Sequence, residues 1–220
     1  MAHRAEEKER RRQERIAQEE AARKAAARKR TLQVGGGVVL GLAVIAVVAI
    51  VALAGGGSKD KSTASVSKLT TDAKAAGCTF SQFKSEGRNH TASKVTYKTN
   101  PPTSGNHNPT PAQDGIYRAG NSPPKENFVR SLEHGRIEFQ YKPGTPAADV
   151  AKLRRLAEEP FNGNAGYHVL MFENNTKMPD QYAATAWTKS ISCPTLSTQA
   201  IGAMREFRDA FTDKGPEFIP

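Results

Sequence analysis

Residues 34–54 read VGGGVVLGLAVIAVVAIVALA, twenty-one positions without a polar side chain. At about 1.5 Å rise per residue a helix of that length spans the roughly 30 Å hydrocarbon core of a bilayer. A buried helix of a soluble domain would carry a polar stripe, and this one has none. Beyond it the pattern changes. Residues 136–141 (RIEFQY) alternate apolar and polar side chains, which predicts a half-buried strand. Residues 146–159 place Val150, Leu153, Leu156 and Ala157 on one helical face. A second strand is predicted over 167–172 and a third over 182–192, ending at Cys193. A last helix is predicted over 197–213, where Ala200, Met204, Phe207 and Phe211 step by four, three and four. The first part of this region, 78–135, is rich in proline and glycine and predicts irregular structure. The expected fold is α+β or α/β, a small sheet of at least three strands covered by two helices. The pattern does not set the strand order.

Charge turns the apolar run into a statement about topology. The formal net charge is +10. It divides into +5 on residues 1–33 and +5 on residues 58–220, on either side of the uncharged segment. Arg23, Lys24, Arg28, Lys29 and Arg30 crowd the N-terminal flank, and Gly55-Gly56-Gly57-Ser58 opens the other. The positive-inside rule then predicts a cell-membrane protein with one pass, a cytoplasmic N-terminus and the C-terminal domain outside. The segment is longer than a signal-peptide core and follows a long charged arm, so an uncleaved signal anchor is expected. The organisation read from the chain is a charged arm (1–33), a transmembrane helix (34–54), a linker rich in Gly, Ser, Thr, Ala and Lys (55–77) and an exported domain (78–220).

The arm itself is composed of strong helix formers, which predicts a charged N-terminal helix. Its one evident partner is the lipid bilayer, whose anionic headgroups attract basic juxtamembrane residues. Gly37 and Gly41 form a GxxxG spacing that offers self-association through the transmembrane helix. Nucleic-acid binding is not expected, because six acidic residues dilute the basic arm and no aromatic or groove-reading motif accompanies it.

Two cysteines exclude a disulfide-dense scaffold and a multi-cysteine zinc module. Cys78 and Cys193 both fall in the exported part, where an oxidising compartment favours a disulfide between them. Of the five histidines, His90, His107, His134 and His168 also fall there. His107 ends a rigid stretch, Pro101-Pro102-Thr103-Ser104-Gly105-Asn106-His107. His134 lies in Ser131-Leu132-Glu133-His134-Gly135, beside a glycine that permits close approach.

PPTSGNH at 101–107, SLEHG at 131–135 and TAW at 185–187 together resemble the bacterial family catalogued as domain of unknown function 3105. The resemblance covers roughly residues 78–220. It implies a single N-terminal membrane anchor and an exported domain, and it carries no established activity. The family often has a histidine just before SLEHG, where this chain has Arg130.

Three uses of these side chains stay open. One is a metal site of His107 and His134, with His90 as a third imidazole and Met178 as a soft thioether ligand. Mixed His/Met ligation suits copper, and histidine with Glu133 suits zinc or another divalent ion. The second is an interaction module for an envelope partner, in which the histidines are structural and lock the irregular loop on the sheet. The third is hydrolysis by Ser104, His134 and Glu133. No GxSxG elbow supports it, and Ser104 suits a turn, so the expectation leans away from an enzyme.

Overall fold

A computed structural model describes residues 59–217 and residue 219, with side chains from residue 65 onward. The arm, the apolar segment and residues 55–58 lie outside the described residues, so the membrane span predicted over 34–54 falls there too. Among the described residues no helix is long and apolar enough to cross a membrane.

The fold is α+β. In chain order its elements are α1 (Lys59–Ala75), β1 (Thr79–Gln82), β2 (Gly115–Ile116), α2 (Lys125–Glu133), β3 (Ile137–Tyr141) and α3 (Ala147–Glu158). There follow β4 (Pro160–Phe161), β5 (Asn164–Ala165), β6 (Val169–Glu173), β7 (Tyr182–Ala186), β8 (Lys189–Cys193) and α4 (Thr198–Phe211). Six strands form one sheet in the order β1-β8-β7-β3-β6-β2, and β4 pairs with β5 in a small ribbon. β3, β6 and β2 run parallel, while β7, β8 and β1 extend the sheet in antiparallel fashion.

The described part of the expected linker is not a linker. Residues Lys59–Ala75 form a helix. Val66, Leu69 and Ala73 step by three and four, and Leu69 and Ala73 are buried in the main core. The polar composition hid this, because two well-placed apolar residues are enough to seat a helix on a sheet. Gly77, at φ +73°, ends it. The Cys78 N–H reaches back to the Ala73 carbonyl and the Gly77 N–H to that of Lys74, a Schellman closure that delivers Cys78 to the sheet.

The two helices predicted over 146–159 and 197–213 are α3 and α4, and two others, α1 and α2, join them. Ser197 caps α4, its hydroxyl accepting the Ala200 N–H at 3.1 Å. The single strand expected over 182–192 is a hairpin, β7 and β8, turning at Trp187 and Thr188. Thr188 adopts φ +62°, a turn conformation that its β-branched side chain does not advertise.

One face of the sheet carries the main core. Ile137, Phe139 and Tyr141 of β3, Val169 and Met171 of β6, and Ala184 of β7 pack there with Leu153, Leu156, Met204 and Phe207 of α3 and α4. Each Val, Leu, Ile, Met or Phe among them contributes about 1.5–3 kcal/mol relative to exposure. On the other face Phe128, Val129 and Leu132 of α2 pack on Leu170, Phe172 and Trp187. The sheet is therefore covered on both sides, and β3 is buried at every position. The half-buried strand expected over 136–141 is corrected accordingly: Glu138 and Gln140 point into protein, not solvent.

Their burial is managed by a polar ladder. The Thr185 hydroxyl and the Gln140 amide donate to Glu138 Oε2 at 2.7 and 3.1 Å, and Asn174 donates to Gln140 Oε1 at 2.7 Å. Glu138 Oε1 has no partner among the described residues. Burial raises the Glu138 pKa well above its ordinary 4.5, so the carboxyl is kept neutral. The unfolded chain loses this proton near pH 4.5, while the folded chain keeps it. Stability from this group is full below that pH and falls as pH rises toward the folded pKa, by about 1.4 kcal/mol per unit. Glu138→Gln is expected to gain stability on the parent between about pH 4.5 and pH 8 in urea unfolding. Parallel pH profiles for the two proteins would show that Glu138 is ionised in the fold.

A candidate metal centre at the end of helix α2

Helix α2 is buried on two sides. Its apolar stripe faces the sheet, and Glu126, Arg130 and Glu133, spaced by four and three, form a second, charged stripe that is also buried. That second stripe lies beneath the irregular segment 83–114. Glu126 accepts the Val95 N–H at 3.0 Å, and Glu133 takes Arg88 Nε at 2.8 Å.

The PPTSGNH loop is fastened by its own polar residues. The Ser104 hydroxyl accepts the Glu86 N–H at 3.1 Å and is fully buried, which is a turn-locking role. Tyr97 donates to the Asn106 carbonyl at 2.8 Å, and the Thr188 N–H donates to the Thr103 carbonyl at 2.8 Å. His90 and His107 form a parallel bridge: the Thr91 N–H bonds the His107 carbonyl and the His107 N–H bonds the Asn89 carbonyl. This sets the two imidazoles side by side, with centroids 5.3 Å apart. The His107 ring also meets the edge of Trp187 at 6.1 Å.

His90, His107 and Glu133 each bring one ligand-type atom to a common point, all within 4.8 Å of one another. His90 is exposed, while His107 and Glu133 are buried, so the group opens to solvent on one side. His107 Nδ1 lies 2.8 Å from the Gly105 carbonyl. A carbonyl only accepts, so Nδ1 carries the proton and the neutral ring turns a bare lone pair outward at Nε2. That Nε2 sits 2.9 Å from Glu133 Oε2 without hydrogen-bond alignment. Burial lowers the His107 pKa and holds the ring neutral. A lone pair and a carboxylate oxygen face each other at contact distance, an arrangement that a cation between them reconciles.

Arginine surrounds the same carboxylate. Arg130 Nη1 bonds both Glu133 and Glu217, and Arg88 bonds the other Glu133 oxygen. Glu217 arrives on the C-terminal segment, whose own N–H bonds the Glu133 carbonyl at 3.1 Å. Arg130 holds the Glu217 carboxyl below its usual range. Among the described residues four buried side-chain polar atoms lack a hydrogen-bond partner: His107 Nε2, Arg130 Nε, His134 Nε2 and Glu138 Oε1. Native interiors leave few such atoms, and three of these four belong to the SLEHG segment and its neighbours.

His134 is not gathered with the other three. It caps the end of α2, with its Nε2 3.8 Å from Glu217. Burial and the Arg130 charge lower its pKa to about 4. Gly135 allows the close approach its position suggested, since a Cβ there would meet Asp213 Cα at 2.7 Å. Met178 is buried in the loop after β6, its N–H bonded to Asn174 at 3.1 Å. Cys78 and Cys193 form the disulfide, joining β1 to its partner β8.

Arg88, Glu217 and Glu138 escaped sequence reasoning. The charged spacing of Glu126, Arg130 and Glu133 was the one available sign of a second buried face.

Fold and site together define a disulfide-bridged α+β domain with a cluster of two histidines and a glutamate that opens to solvent at His90. The family described as "Protein of unknown function (DUF3105)" matches residues 89–218, more than half of the chain, and the chain belongs to that family. No curated protein and no solved structure matches it.

Proposed function

We propose that this chain is a membrane-anchored extracytoplasmic protein whose domain binds a divalent ion of zinc's class through His90, His107 and Glu133. The supporting observation is the unpartnered His107 Nε2, with its tautomer fixed by Gly105 and its lone pair turned on Glu133. A histidine ligand whose other nitrogen donates to a carbonyl is the usual arrangement at protein metal sites. Two imidazoles and a carboxylate favour zinc over copper and leave a fourth position open beside the exposed His90. Two ligands at about 2.0–2.1 Å and a tetrahedral angle lie about 3.3 Å apart, so the His107–Glu133 contact needs to open only a few tenths of an ångström. Arg130 keeps Glu217 when Glu133 turns to the ion. The anchor is the apolar segment 34–54, with the lipid bilayer as its partner, the N-terminus inside and the domain outside.

A competing reading makes the histidines structural and the domain a non-catalytic envelope interaction module. It is favoured by the two guanidinium groups that already neutralise Glu133. Zinc and copper titrations of the chelator-stripped full chain, with elemental analysis of the protein as purified, decide between them. Saturable uptake of one ion per chain supports the metal site, and no uptake of either supports the module.

Arg130→His adds a sharper check. It removes one of the two competing cations, leaving Arg88, and places an imidazole three residues before Glu133 on the same helical face. The variant is expected to bind zinc about tenfold more tightly in the same titration. Unchanged or weaker binding would place the ion away from Glu133.

A further inference from the structure

A second site lies at the other end of the sheet. β2 leads through α2 to β3, passing over β6, and β3 leads back through α3 to β6. The two crossovers run in opposite directions, and right-handed connections then place their helices on opposite faces. α2 and α3 do lie on opposite faces. The chains leaving the carboxyl ends of β2 and β3 therefore diverge and leave a crevice. In open sheets that is where ligands bind.

The crevice holds a cavity of about 700 Å3. Ile116, Tyr141, Val150 and Met171 give it an apolar wall, and Arg118 and Arg154 give it cations. Arg154 is engaged with Glu158, while Arg118 makes no ion pair among the described residues. The wall also carries one acid, Glu173, which accepts the Gly120 N–H at 3.1 Å and whose charge is felt at Tyr141. Tyr141 carries the independent sign. It is 4% exposed, lines the cavity, and its hydroxyl bonds no described residue. The hydroxyl is not one of the buried unpartnered atoms, so it reaches the cavity's solvent, where it is free to donate to a bound acceptor.

We infer that this crevice binds a small organic anion with an apolar body, its carboxylate or equivalent acidic group taken by Arg118 and the Tyr141 hydroxyl. The site shares no residue with the His90–His107–Glu133 cluster and does not depend on the metal reading.

The test uses the full chain, ligand-observed NMR and 2-naphthoate as probe, with uncharged 2-naphthamide as control. Saturable naphthoate binding is expected with a Kd of about 0.1–1 mM, a modest affinity for so small a ligand. Naphthamide should bind at least about fivefold more weakly. Arg118→Ala should weaken naphthoate by at least about fivefold, and Ala151→Trp, at an exposed α3 position on the cavity wall, should abolish it. Absent or non-saturable binding, equal binding of the amide, or binding indifferent to both substitutions would overturn the proposal.

Discussion

His107→Ala should lower the zinc affinity of the full chain by at least about 100-fold. Outer-shell partners of metal ligands are themselves worth about 10–100-fold, and His107 is placed as a direct ligand. The imidazole is buried and fixed by Gly105, so the folded chain holds its Nε2 in position before any ion arrives. His90 is exposed and held by fewer groups, so His90→Ala should cost less, about tenfold. Because His107 is a core residue, its loss also threatens the fold. The exposed His90→Ala variant, checked by its melting curve, keeps the test clean. If both variants take up zinc like the parent, the cluster is a structural ion network and the metal reading fails.

Removing the disulfide, as Cys78→Ala with Cys193→Ala, should cost about 2–5 kcal/mol in urea unfolding. The bridge closes a separation of 115 residues, which lies at the upper end of the chain-entropy scale. The local argument agrees. β1 is a four-residue edge strand paired with β8 alone, and α1 reaches the core mainly through Leu69 and Ala73. Without the bridge these two elements should be the first to exchange their amide protons. A loss below about 0.5 kcal/mol would mean that α1 and β1 hold their places unaided.

Glu138 and Lys59–Ala75 show how far pattern alone reaches. Alternation found β3 but assigned its polar side to water, because period two says which residues share a face and not what covers that face. Covering came from α2, nine residues with a proline at the N-cap and a charged stripe, in a stretch whose prolines and glycines masked any period. Helix α1 was hidden for the opposite reason, having too few apolar residues to register as amphipathic. α3 and α4 were legible since each buries one continuous stripe on the main core.

The site was half legible. His107, His90 and Glu133 could be named as candidates from residue type and setting. Grouping His107 with His134 could not survive, because the end of α2 turns Glu133 toward the loop and His134 toward Glu217. Neighbours on a helix differ by about 100° in direction, so adjacent residues rarely serve one ion.

By itself the sequence determined the family, the two long amphipathic helices, the strand positions near 137–141 and 169–173, and the pairing of two lone cysteines. These depend on local composition and period. Tertiary structure decided the strand order, the burial of Glu138, the company kept by each histidine and the crevice beside Tyr141. Each of those depends on which distant segment lies opposite, and that is set by the summed packing of the whole domain.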